Sequence, residues 1–70
     1  MSEESKATSF GERVKEVREE LNISVQDAAE KAGVSESYWS LIEDGSIGPK
    51  VKMIWTMAIA LGVRPHNLLV

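Results

Sequence analysis

Apolar residues recur along this chain at three- and four-residue spacing, the period of helices, and nowhere alternate as strands do. Phe10, Val14, Val17 and Leu21 form the first stripe and predict a helix over about residues 10–21, with Arg13, Lys15, Glu16, Glu19 and Glu20 on its solvated side. Ser9 stands before it as N-cap, with Glu12 in the capping-box position. Asn22 suits the left-handed conformation that closes a helix. A second helix is predicted over 25–32, opened by Ser24 with Asp27 at the return position and built on Ala28, Ala29 and Ala32. Gly33 ends it. A third is predicted over 36–43, with Ser35 as N-cap, Trp39 and Ile42 on one face, and Gly45 at its end. Val34 and Trp39 have the spacing of a hydrophobic staple. DGSIGP is a turn-rich connection. Pro49 fixes φ near the start of a fourth helix, 51–61, whose core stripe is Val51, Ile54, Ala58 and Leu61 and whose end is Gly62. Pro65 opens a short fifth helix, 65–69, where Leu68 and Leu69 close the core. The pattern is that of an all-α chain.

The stretch from Ser24 to Gly45 organises the rest. Two helices joined steeply by a few residues must approach closely, and Ala29 permits this where a large side chain would not. Alanine, glycine four positions on, then an apolar residue is the helix-turn-helix pattern. On Ala29, Gly33, Val34, Ser35, Trp39, Ile42, Glu43 and Gly45 the chain resembles the phage repressor and Cro family, the Xre type, in which Ile or Val is usual where Trp39 stands. Upstream, FGERVKEVREELNIS resembles the family's first helix. Downstream, GPKVKMIWTMAIALGVRPHNLL resembles its fourth and fifth, so the resemblance covers about residues 9–69. It implies a compact five-helix bundle of the lambda-repressor-like type over 9–70. Residues 1–8, charged and small, read as a disordered leader. The resemblance further implies a cytoplasmic transcriptional regulator that binds double-stranded DNA sequence-specifically as a homodimer. Its third helix would lie in the major groove and its second across the backbone.

Seventy residues allow one domain and one small core. A chain of this size buries only roughly 60% of its unfolded surface, so its stability is modest unless it oligomerises. There is no cysteine, hence no disulfide framework and no thiolate metal site. No segment has a signal-peptide core, and no apolar run approaches the roughly 20 residues of a membrane span. The net charge is −3, against the basic footprint usual for a DNA-binding domain.

Arg18 and Glu43 pair across the first and third helices in proteins of the family, an arrangement suited to the planar fork of arginine. The same resemblance makes Glu36, Ser37, Ser40 and Leu41 the candidate base readers. Serine can meet any base edge, glutamate can accept from cytosine N4, and leucine can touch only a thymine methyl. The candidate phosphate contacts are Arg13, Lys15, Ser24, Val25, Lys50 and Lys52. Where the family usually has glutamine, Val25 offers no side-chain donor, which leaves the backbone amides of that helix end. Over residues 24–45, five carboxylates (Asp27, Glu30, Glu36, Glu43, Asp44) stand against Lys31 alone, for a local net charge of −4. Two readings of this face therefore stand: a DNA-binding surface gripped from its rim, or the solvated surface of a protein-interaction module on the same fold. Trp55 and Ile59, one turn apart and off the fourth helix's core stripe, are the candidate dimer interface; the alternative is a helix rolled to bury both. His66 reads as a surface residue. The sequence assembles no catalytic residues, metal ligands, cofactor site or small-molecule site, and has no glycine-rich phosphate loop.

Overall fold

The structure, a computed structural model, describes residues 6–69, with the side chains of residues 6–8 left aside. Five helices follow one another: α1 (Lys6–Glu20), α2 (Val25–Ala32), α3 (Glu36–Glu43), α4 (Val51–Leu61) and α5 (Pro65–Leu69). No strand occurs among the described residues. α1 packs on α3 and α5, α2 packs on α3 and α4, and α5 closes against α4. Trp39, Ile42, Met57, Leu68 and Val14 are the largest side chains wholly buried at the centre.

Local chemistry sets the helix-turn-helix. Ser24 Oγ accepts from the Asp27 N–H at 3.0 Å, and Ser35 Oγ accepts from the Tyr38 N–H at 3.0 Å. Each hydroxyl thus satisfies one of the N–H groups a helix start leaves open. Between them Gly33 sits at φ 74°, in the left-handed region. Its N–H closes on the Glu30 carbonyl, and that of Val34 on Ala29, so the chain reverses within three residues. Ala28 and Ala29 are fully buried, and their small side chains let α2 lie close to its neighbours.

Several expectations need correction. α1 is already helical at Lys6, where the described residues start, so Ser9 lies inside the helix and the Ser9–Glu12 capping box does not form. Of the expected leader, residues 1–5 lie outside the described residues, and residues 6–8 are helical. Leu21 is 45% exposed. The helix stops at Glu20, Asn22 turns the chain at φ 59°, and Ile23 packs on the core instead. Arg13 does not belong wholly to a solvated face: its Nε donates to the Asn67 carbonyl of α5 at 2.7 Å. Val51 is 72% exposed because α4 is rolled toward Met57 and Ala60, which are buried. Leu69 is 59% exposed, and of the two leucines only Leu68 is buried in the core.

Gly11 has a role the capping-box pattern concealed. It is buried in α1 against the end of α3, and a Cβ there would fall within 3.0 Å of backbone atoms of Ile42 and Glu43. Glycine is what lets the two helices meet.

Candidate nucleic-acid interface

α3 is held from behind by one carboxylate. Arg18 Nε donates to Glu43 Oε2 at 2.7 Å and its NH2 nitrogen to Glu43 Oε1 at 3.1 Å, a bidentate pair. Arg18 NH1 donates to the Ile23 carbonyl at 2.8 Å, so the same guanidinium also fixes the loop leading into α2. Trp39 Nε1 donates to Glu43 Oε2 at 2.6 Å. The pair is largely buried, with side chains 10% and 8% exposed. The hydrogen bond to Glu43 holds the Arg18 guanidinium above its ordinary pKa, against the opposing effect of burial. The pair and the bond to Ile23 tie α1, α3 and the loop between α1 and α2 at one point.

With Trp39 and Ile42 buried, α3 turns Glu36, Ser37, Ser40 and Leu41 to solvent. These four form one outward strip, with Glu36 at the helix start. The Glu43 charge is balanced from α1, so the carboxylates this region leaves exposed are Asp27, Glu30, Glu36 and Asp44. Asp44 lies just past α3. Hydrogen bonds from Ser46, its side chain first and its backbone N–H second, hold the Asp44 carboxyl below its ordinary pKa. The Ser46 N–H to Asp44 Oδ1 distance is 2.8 Å, a local turn in which the charge stays ionised.

The candidate phosphate contacts separate into three kinds. Lys15, Lys50 and Lys52 are exposed. Arg13 is already engaged, by the Asn67 carbonyl and by Glu16 at 3.0 Å. Val25 packs on the core, and Ser24 serves as the α2 cap; what that helix start still offers outward is backbone N–H. Sequence reasoning misses Gln26, which carries an exposed amide in the same first turn. It also misses Asn67, whose carbonyl holds Arg13 while its Oδ1 accepts from the Arg64 N–H at 3.1 Å. The Asn67–Arg64 spacing is that of a local cap and is readable; the link to Arg13, 54 residues away, is not. Trp55 and Ile59 are 56% and 74% exposed, side by side on α4. Among the described residues no group of three or more His, Cys, Asp or Glu could hold a metal ion. No described helix is long and apolar enough to cross a membrane.

Five helices with a glycine-turned α2–α3 pair and an outward-facing α3 define a helix-turn-helix domain. The chain belongs to the helix-turn-helix domain family, whose model matches residues 9–69. It is similar to the HTH-type transcriptional regulator SinR of Bacillus subtilis, 38% identical over 61 residues, 86% of this chain and 55% of that protein. It is also similar to the HTH-type transcriptional regulator DdrOP3 of Deinococcus deserti, 33% identical over 58 residues, 83% of this chain and 45% of that protein. The chain thus spans about half the length of these relatives. Among solved structures it resembles SinR, the master regulator for biofilm formation, in complex with DNA, with TM-score 0.79 and 37% identity over 87% of this chain and 98% of that one. It also resembles the restriction-modification controller protein C.AhdI from Aeromonas hydrophila, with TM-score 0.85 and 29% identity over 89% and 94%.

Proposed function

We propose that this domain binds double-stranded DNA sequence-specifically, as a non-enzymatic, cytoplasmic transcriptional regulator acting as a dimer. α3 enters the major groove and α2 lies across the backbone. The observation that carries this reading is the outward strip of Glu36, Ser37, Ser40 and Leu41 on a helix locked from behind by Arg18 and Glu43. The 37%-identical SinR structure, solved with DNA, supports it. Ser37 and Ser40 are the base readers, and Leu41 meets a thymine methyl. Lys15, Lys50, Lys52 and the N–H groups opening α2 grip phosphates from the rim. Trp55 and Ile59 pair with their counterparts across a two-fold axis.

One observation favours a second reading, a protein-interaction module on the same fold. The exposed carboxylates Asp27, Glu30, Glu36 and Asp44 border the strip, and α3 carries no Arg or Lys. The two readings separate in a binding isotherm against mixed genomic DNA fragments at two salt concentrations. DNA binding with few phosphate contacts gives measurable affinity at low salt and a shallow slope, each phosphate adding about −0.9 to log K against log salt. No fragment bound at low salt would overturn the DNA reading and leave the interaction module.

A further inference from the structure

Tyr38 stands in the first turn of α3, outside the strip of Glu36, Ser37, Ser40 and Leu41. It is half-buried, and its ring packs against the core. Its backbone N–H is taken by Ser35 Oγ. Its hydroxyl makes no hydrogen bond among the described residues. A tyrosine in such a place has an apolar body that is held and a polar tip left for another partner. Each residue turns a helix by about 100°, so Glu36 and Tyr38, two apart, fall on opposite edges of the outward strip. Glu43, seven residues after Glu36, shares the Glu36 side of the helix. Leu41, three residues after Tyr38, lies between it and the two serines. The edge that bears Tyr38 is thus the one to which α3 contributes no carboxylate.

We propose that the Tyr38 hydroxyl donates to a DNA phosphate at the wall of the major groove that α3 enters. The contact depends on the DNA reading of α3 and adds to it a grip of a different kind. The middle of the strip meets base edges, whereas a residue at its edge meets the sugar-phosphate backbone, and tyrosine is among the side chains that hold phosphate oxygens. A phenol is an uncharged donor, so it serves where α3 has no Lys or Arg. Its ring is already fixed by packing, and little freedom is lost when the hydroxyl is engaged. A lysine that neutralises a phosphate releases counterions and steepens the salt dependence. A neutral hydroxyl adds affinity without adding to that slope. An acidic face can in this way hold DNA more tightly than Lys15, Lys50 and Lys52 alone allow.

Tyr38→Phe removes the hydroxyl and keeps the ring, so the urea midpoint is expected to be that of the parent. Affinity for mixed genomic DNA fragments at low salt should fall about tenfold, the usual effect of losing a hydrogen bond to a charged acceptor. A duplex selected by the parent chain from a random pool should lose the same factor. The slope of log K against log salt should stay unchanged, whereas Lys50→Ala flattens it. Methylphosphonate placed at one linkage after another of the selected duplex should reveal one position that weakens the parent more than Tyr38→Phe. A Tyr38→Phe chain that binds as the parent does, or that responds as the parent does at every linkage, overturns the contact and leaves the DNA reading standing. A loss seen only with a particular base pair overturns it too, and makes Tyr38 a base reader. So does a lowered urea midpoint that accounts for the lost affinity, which would assign the hydroxyl to the fold. A parent chain that binds no duplex at low salt removes the DNA reading itself, and the contact with it.

Discussion

Trp39 and Glu43, one turn apart on α3, are joined by an indole N–H to carboxylate hydrogen bond of 2.6 Å, on the same oxygen that Arg18 Nε holds at 2.7 Å. An aliphatic residue at position 39 could fill the core but could not donate. Removing either charge leaves the other buried and uncompensated, at a cost of about 3 kcal/mol or more. Trp39→Phe keeps an aromatic ring and removes one donor to a charged acceptor, for about 2 kcal/mol. Urea unfolding of Arg18→Met, Glu43→Leu and the double variant should give losses well short of additive, since the double leaves no orphan charge. Additive losses would show that the two side chains do not act as a pair.

Gly11→Ala tests the packing of α1 on α3. Alanine is the better helix former by about 1 kcal/mol, so propensity alone predicts stabilisation. The added Cβ, however, meets backbone atoms of Ile42 and Glu43, which cannot rotate aside. Overpacking of this kind costs about 1–3 kcal/mol, and the clash with backbone places it at the upper end. The expected net effect is destabilisation, read as a lower urea midpoint at unchanged slope. A raised midpoint would mean that α1 stands farther from α3.

Asp44 gives a prediction with a sign. Its carboxyl is held below its ordinary pKa in the folded chain by Ser46. A depressed folded-state value contributes stability above the unfolded-state value, and the contribution disappears as pH falls through the folded one. The side chain is fully exposed, so the effect is on titration more than on stability. A carbon-detected NMR titration should place Asp44 below an ordinary aspartate. Ser46→Ala should raise it part of the way, because the backbone N–H remains. An unchanged Asp44 titration in that variant would assign the shift elsewhere.

Helices α2 to α5 start where the sequence foretells; Ser24 and Ser35 cap α2 and α3, and left-handed Gly33 and Gly62 close α2 and α4, each a local residue with a local task. The start of α1 is not legible in this way. Ser9 and Glu12 imitate a capping box, and nothing local distinguishes that pattern from a helix already under way. Gly11 has no meaning until α3 is placed beside it. The fourth stripe is ambiguous in rotation: Val51 and Met57 are both apolar, and only packing against α2 and α5 decides which turns inward. The Arg18–Glu43 geometry follows from family resemblance, whereas the Trp39 donor is readable from its four-residue spacing to Glu43. The exposure of Val51 and Leu69, and the groove they line with Trp55, appear only once α4 and α5 are docked.

Trp55 and Ile59 bear on assembly. The roll of α4 that buries Met57 and Ala60 leaves both in solvent, where a two-fold contact can satisfy the same patch on each subunit. Ile59→Lys should yield a folded monomer in sedimentation equilibrium, with its circular dichroism spectrum unchanged. Trp55→Glu should do the same and also alter the neighbouring groove. A parent chain that is monomeric at high concentration would exclude self-association through this edge.

The DNA reading makes its sharpest claim about charge. Glu36 is an exposed carboxylate at the start of the helix proposed to enter the groove, and α3 has no cation to offset it. Glu36→Gln removes that repulsion and adds an amide able to pair with adenine, so affinity should rise for mixed DNA, by up to about tenfold if the group is desolvated. Lys50→Ala with Lys52→Ala should weaken binding to all sequences alike and flatten the salt slope by about 0.9 for each phosphate no longer neutralised. Ser37→Ala or Ser40→Ala should weaken the preferred site alone, since removing a hydroxyl from a base edge leaves the phosphate grip intact. Filter binding of the four variants at two salt concentrations resolves these patterns. A uniform response to every substitution would mean that the strip on α3 does not face the bases, and that the cationic rim holds DNA without reading it.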